Sequence, residues 1–294
     1  MGLWIDTDMG VDDLFAVLLA HKHTTIDGLS LSFGNAPLPQ VASNAAAAKA
    51  VFGWPFGISQ GAGRGVLGAL ETAQNILGAT GMPSRGATLP RVEATFPAAV
   101  PALAHWLEGQ RNARILALGP LTNIATLALC RPDLLSNIGR ITWMGGAIGA
   151  GNHTASAEFN AFADPEALAI VLSRAVPLTM VDLDICRRVQ ITETDVAAVT
   201  HPLLRDLLGG YLDIALNRGR ASMALYDPVA AAALLRPDLF CAAPVALTVE
   251  LTGQHTRGRT IADLRGAPPP DLFCVLTDCD GDAVRALCLA GLTP

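Results

Sequence analysis

Leu3-Trp4-Ile5-Asp6-Thr7-Asp8-Met9-Gly10-Val11-Asp12-Asp13-Leu14-Phe15-Ala16-Val17-Leu18-Leu19-Ala20-His21 runs from an apolar segment through a polar turn into an apolar-periodic stretch. Residues 3–5 read as a strand. Residues 12–21 read as a helix with Leu14, Phe15, Val17, Leu18 and Leu19 on its apolar side. The alternation continues along the chain. Strands are expected at 29–33, 114–118, 141–144, 178–181 and 245–251, and helices at 43–52, 121–130, 165–173 and 203–216. Strand followed by helix, repeated, predicts an α/β fold: a mostly parallel, Rossmann-like central sheet flanked by helices. No long linker divides residues 1–294, so one domain is expected. The glycine-rich stretch 57–86 reads as a loop region over one end of the sheet. In such sheets ligands bind beyond the carboxyl ends of the strands, so polar residues just after the strands are the candidates for function.

Composition narrows the class. Of 294 residues, 51% are hydrophobic and 16% charged, which excludes disorder for most of the chain. The net charge of -6 and the lack of a basic run argue against a nucleic-acid partner. Lys22 and Lys49 are the only lysines. No apolar stretch is long enough to predict a membrane span. The opening MGLWIDTD has neither a basic nor an apolar leader region, so no secretory leader is expected. Cys130, Cys186, Cys241, Cys274, Cys279 and Cys288 lack the spacing of a zinc site, and read as thiols of a reducing cytoplasm.

Asp6, Asp8, Asp12 and Asp13 place four carboxylates in eight residues, where the first strand gives way to the first helix. Helix capping accounts for Asp12 or Asp13. It does not account for all four, because crowded like charges call for a cation. Oxygen-only ligands suit Ca²⁺ or Mg²⁺. An EF-hand loop would need a Glu where Val17 stands. A phosphatase opening on Asp-x-Asp would need a later lysine than the two present.

Asp6-Thr7-Asp8-x-Gly10-x-Asp12-Asp13 resembles the signature of the nucleoside hydrolases, the inosine/uridine-preferring nucleoside N-ribohydrolases. The likeness continues in order through Gly34-Asn35, Leu118-Gly119-Pro120-Leu121-Thr122-Asn123-Ile124-Ala125 and Trp143-Met144-Gly145-Gly146. It includes Gly151-Asn152, Ala157-Glu158-Phe159-Asn160, Ala163-Asp164-Pro165-Glu166-Ala167 and Tyr226-Asp227-Pro228. Glu250-Leu251-Thr252-Gly253 is similar to a late strand of that family.

The resemblance implies hydrolysis of the N-glycosidic bond of ribonucleosides to ribose and free base, and a single Ca²⁺. Its ligands would be the Asp8, Asp13 and Asp227 carboxylates and the Leu118 carbonyl. Asp8 would also be the general base on the attacking water, a role still wanted because Ca²⁺ acidifies water less than Zn²⁺ does. Asp12, Asn152, Glu158 and Asn160 would hold ribose hydroxyls. Met144 would line the substrate site, and Asn35 would lie near sugar or base. Asp6 and Asp184 would be supports, and Asp164 before Pro165 reads as a helix cap. A role in nucleoside salvage, a cytoplasmic location and a homo-dimer or homo-tetramer are the family's expectations.

Three positions depart from the family pattern. Tyr226 replaces a histidine that could protonate the leaving base. Tyrosine is a weak acid at neutral pH but can stack on a base, which favours purines. Leu77 replaces a second histidine, with His153 as a candidate substitute. Met9 replaces a proline. Base selectivity is expected to rest on residues 57–86 and 199–224. Two rivals remain at this level: a same-fold hydrolase of another N-glycoside, and a nucleoside-binding protein without turnover.

Overall fold

A computed structural model describes residues 2–265 and 272–293. Its main sheet has eight strands in the order Gly57–Gln60, Gly28–Leu31, Leu3–Thr7, Ala113–Ala117, Ile138–Met144, Leu178–Val181, Phe273–Cys279 and Phe240–Pro244. All neighbours pair parallel except the last two, which pair antiparallel. Helices cover both faces, as buried parallel strands require. One face packs on Val11–His23, Leu38–Phe52, Asp227–Leu235 and Gly281–Ala290. The other packs on Ala99–Glu108, Thr122–Cys130 and Pro165–Ser173. The mostly parallel α/β architecture expected from the sequence is therefore the one observed.

Several boundaries follow from local chemistry. Helix Val11–His23 carries Asp12 and Asp13 in its first turn and His21, Lys22 and His23 in its last, which complements the helix dipole. Its cap is Gly10, whose N–H donates to Asp13 Oδ2 at 2.9 Å, so Asp13 closes the first turn from inside the helix. Asp164 caps helix Pro165–Ser173. Its Oδ1 accepts the Ala167 N–H at 3.1 Å, and its Oδ2 accepts the Thr122 hydroxyl at 2.5 Å and the Val66 N–H at 3.0 Å.

The late chain corrects the reading of 245–251 as one strand. Phe240–Pro244 is the antiparallel edge of the main sheet, while Ala246–Val249 pairs with Thr260–Asp263 in a separate two-stranded ribbon. Glu250-Leu251-Thr252-Gly253 is a turn instead of a strand, because Glu250 Oε1 accepts the Thr252 and Gly253 N–H groups. Strand Phe273–Cys279 was not foreseen. It lies between Leu178–Val181 and the edge strand, and carries Thr277 and Asp278 in place of a continuous apolar run. Stretch 57–86 is not all loop, since Gly57–Gln60 is the other edge strand and Gln74–Leu77 is a short helix.

Asp164→Ala removes a cap and strands the Thr122 hydroxyl and Val66 amide. It should cost about 2 kcal/mol of unfolding free energy. A urea midpoint indistinguishable from that of the unaltered protein, at the same slope, would refute this.

Candidate active site

The carboxyl ends of the strands deliver the site. Asp8 follows Leu3–Thr7, Asn35 follows Gly28–Leu31, Leu118 follows Ala113–Ala117, and Met144 ends Ile138–Met144. Asp227 comes from elsewhere, as the first residue of helix Asp227–Leu235. These residues, with Asp12, Asn152, Glu158, Asn160 and Tyr226, line one cavity of about 180 Å³. Asp13 lies buried beside its floor.

Asp8, Asp13 and Asp227 are at most 3% exposed. Carboxylate oxygens of Asp12, Asp13 and Asp227 all lie within 4.8 Å of one another. Asp8 adjoins this trio through Asp13. Burial, then mutual repulsion, raises the Asp8 and Asp227 carboxyls well above the usual range and takes Asp12 to about 7. Neutral donors relieve only part of this. The Asn35 N–H donates to Asp8 Oδ2 at 2.6 Å, and the Asn35 side-chain amide to Asp13 Oδ2 at 2.7 Å. The Thr7 hydroxyl donates to Asp13 Oδ1. Asp8 Oδ1 is buried with no hydrogen-bond partner. Two glycines make the cluster possible. A Cβ on Gly34 would stand 1.9 Å from Asp8 Oδ2, and one on Gly10 would stand 2.4 Å from Asn35 Nδ2.

Converging buried carboxylates with an unpartnered oxygen fit a hard divalent cation held by oxygen ligands. The Leu118 carbonyl can join them. It accepts one hydrogen bond, from Asn160 Nδ2 at 2.8 Å, and has a second lone pair left.

The opposite wall is tied to backbone. Glu158 caps the short helix Phe159–Ala163. Its Oε2 accepts the Gly146 N–H at 2.8 Å and the Ala161 N–H at 3.0 Å, and its Oε1 accepts the Asn160 N–H at 2.8 Å. Burial still pushes its carboxyl up to about 7. Asn160 Nδ2 also reaches the Met144 carbonyl at 3.0 Å, and Asn152 Oδ1 accepts the Phe159 N–H at 3.0 Å. Each polar side chain is thus oriented before any ligand arrives.

Asp6 stands behind the cavity. Ser30 and Asn123 donate to its Oδ1, which braces the first strand against its neighbours. Asp184 accepts the Gly149 N–H at 2.8 Å and so holds the 149–151 turn. Met9, where the family pattern has proline, sits at φ +27°, which a proline ring forbids. Its N–H donates to Thr7 Oγ1 at 3.0 Å, a bond proline cannot make.

Leu77 and His153 also line the cavity. The His153 ring stands edge-on to Phe159 at 5.4 Å and lies 4.5 Å from Phe162. Burial pushes the Tyr226 hydroxyl up to about 12. Lining residues that the sequence did not single out include Asn75, Ile214, Arg218 and Tyr211, all within the stretches 57–86 and 199–224 expected to bear on base selectivity. The Tyr211 hydroxyl lies 3.2 Å from Asp12 Oδ2 and 3.2 Å from the Ala224 carbonyl. A tyrosine inside an amphipathic helix gives no sequence signal of such a bond.

The family model for inosine-uridine preferring nucleoside hydrolase matches residues 3–286. The chain belongs to that family.

The same membership appears in individual proteins. A pyrimidine-specific ribonucleoside hydrolase RihA of Shewanella woodyi is 34% identical, over 89% of this chain and 88% of its own. Among solved structures, a plant nucleoside hydrolase, PpNRh1, superposes with a TM-score of 0.90 at 26% identity. A purine-preferring ribonucleoside hydrolase from Gardnerella vaginalis does so at 0.90 and 25%. Each covers 99% of this chain and 98% of its own. As a nucleoside hydrolase the chain is an enzyme, a glycosidase acting on small nucleosides. Among the described residues no helix is long and apolar enough to cross a membrane.

Glu158→Gln puts an amide N–H₂ against backbone N–H groups that now meet a carboxylate. The nucleoside hydrolase should lose about 2 kcal/mol of stability through Glu158, read as a lower urea midpoint. Equal midpoints would mean the cap does not hold the Asn160 wall.

Proposed function

We propose that residues 1–294 form one nucleoside hydrolase domain that cleaves ribonucleosides to ribose and free base with a single Ca²⁺. The ion would be held by Asp8, Asp13, Asp227 and the Leu118 carbonyl. The observation that carries this reading is the buried carboxylate cluster beneath the cavity, with Asp8 Oδ1 left unpartnered. Bound there, the ion supplies charge compensation and a seat for the vicinal hydroxyls of ribose.

Asp8 is the general base. Asn35 holds its Oδ2, so Oδ1 remains to take the proton from the attacking water. Asp12, steadied by Tyr211, binds a ribose hydroxyl, and Asn152, Glu158 and Asn160 bind the others from the opposite wall. Met144 packs beside the sugar. A wall built to pair hydroxyls disfavours deoxyribose, whose loss leaves polar groups unpaired. Stacking on Tyr226 favours a purine base. Assembly as a homo-dimer or homo-tetramer, a cytoplasmic location and work in nucleoside salvage belong to the same proposal, supported by family membership.

The test is ribose release from calcium-loaded protein given inosine, adenosine, guanosine, uridine and cytidine. No release from any of the five sinks the proposal. Faster release from the pyrimidine nucleosides, as the name of the Shewanella relative suggests, removes the purine preference alone. Asp8→Asn should lower kcat at least a hundredfold, the scale of a lost general base, while the thermal unfolding temperature holds. Retained turnover would take the base role from Asp8.

Asp227→Ala should weaken Ca²⁺ binding to chelator-stripped protein at least tenfold by titration calorimetry. An unchanged dissociation constant would remove Asp227 from the ligand set.

A further inference from the structure

Breaking an N-glycosidic bond sends its electron pair to the base nitrogen, so the departing base becomes negative unless it is protonated. The base end of this cavity is poor in acids. Leu77 is apolar, Tyr226 offers a phenol, which is by nature a weak acid at neutral pH, and the His153 ring packs against Phe159 and Phe162. The carboxylates of Asp8, Asp12, Glu158 and Asp227 make the rest of the wall negative.

Arg218 is the one arginine or lysine among the described lining residues. It sits just past helix Pro202–Leu216, on a closed turn. The Gly219 N–H donates to the Leu216 carbonyl at 2.9 Å and the Arg220 N–H to the Ala215 carbonyl at 3.1 Å, with Gly219 at φ +72°. That paired closure fixes the Arg218 backbone at the helix end. Its guanidinium makes no hydrogen bond or ion pair among the described residues. Of the two arginines whose charges act on Tyr226, Arg187 is tied to Asp184 and to the Ala150 and Gly151 carbonyls, and Arg220 does not line the cavity. A guanidinium is charged at any working pH and presents planar donors to an oxygen acceptor.

We infer that Arg218 is a catalytic residue for the leaving group, its guanidinium stabilising negative charge on a carbonyl oxygen of the departing base. This rests on the hydrolase reading above. In the balanced step the carbon–nitrogen bond breaks toward the base, and water adds to the sugar carbon. One water proton goes to Asp8, and the base anion, held against Arg218, is protonated from solvent. The substrates that gain most are those with a carbonyl on the base, such as hypoxanthine or uracil. Adenine, which has none, gains least. The interaction strengthens as charge develops, so it acts on kcat more than on KM.

The experiment compares the unaltered protein with Arg218→Ala and Arg218→Lys, calcium-loaded, on inosine, uridine, adenosine and p-nitrophenyl riboside. The last has a leaving group already stable as its anion. Arg218→Ala should lower kcat/KM about 10- to 100-fold for each carbonyl-bearing nucleoside that is cleaved, the range of a charged hydrogen bond. The loss should fall mainly in kcat, and Arg218→Lys should recover part of it. Adenosine should lose less, and p-nitrophenyl riboside under threefold. Equal losses on all substrates would mean a structural role, and no loss on the carbonyl-bearing nucleosides would mean no role. Either overturns the inference while leaving the hydrolase reading intact. Failure of the unaltered protein to cleave any of the four overturns both.

Discussion

Mutual repulsion among buried carboxylates is the constraint on which the rest of this structure depends. Asp8, Asp12, Asp13 and Asp227 are brought together at the cavity floor, where burial leaves little water to screen them. A fold can hold such a group only if its backbone is fixed by other means. Here the surrounding donors are short and local: the Asn35 amide and side chain, the Gly10 N–H and the Thr7 hydroxyl. The glycines at 10 and 34 let those donors approach closer than any Cβ would permit. The neighbouring strands are clamped by Asp6, Ser30 and Asn123. Much of the hydrogen bonding behind the cavity therefore serves to hold charges that would otherwise separate.

The parts of this plan that are local in sequence could be read from it. The strand, the carboxylate turn and the helix that follows lie within two dozen residues, and hydrophobic period and charge crowding reveal them. The Asp164–Pro165 cap was legible for the same reason: cap chemistry needs only adjacent residues. Asp227 was placed through family likeness, since nothing local marks it as meeting Asp13 across more than two hundred residues. The failures are equally physical. Phe273–Cys279 carries polar residues at its end, and the edge strand before it is alanine-rich, so neither shows the apolar run expected of a sheet strand. Residues 250–253 look extended, but the Glu250 side chain captures the following N–H groups and turns the chain. Tyr211 and Arg218 owe their places to how helix Pro202–Leu216 docks, which is tertiary information.

The two ends of the cavity are built differently. The end proposed to hold the sugar uses side chains whose atoms are already committed to backbone: Glu158 to three amides, Asn160 to two carbonyls, Asp8 to the Asn35 amide. Removing the committed atoms of Glu158 or Asn160 disturbs the chain around them. The end proposed to hold the base uses Leu77, Ile214, Arg218 and the ring of Tyr226, whose side chains make no hydrogen bond among the described residues, although Ile214 and Tyr226 also pack against the core. Substitution of the exposed Arg218 costs little in stability. A scaffold of this kind can alter its choice of base while leaving its carboxylates untouched.

That division explains how proteins named for opposite base preferences share this chain's frame. A relative at 34% identity is named pyrimidine-specific, and a structure at 25% with a TM-score of 0.90 is named purine-preferring. Overall identity counts every aligned position alike. It weighs the few side chains over the base no more heavily than any others. Base preference is therefore poorly carried by whole-chain similarity and better carried by the chemistry of that small wall. In this chain two positions where the resemblance expects histidine hold Tyr226 and Leu77, and Arg218 is the one arginine or lysine among the described lining residues. On the proposed role of Arg218, a positive charge meets the requirement that an acid would otherwise meet: the electrons that leave the sugar must be accepted somewhere.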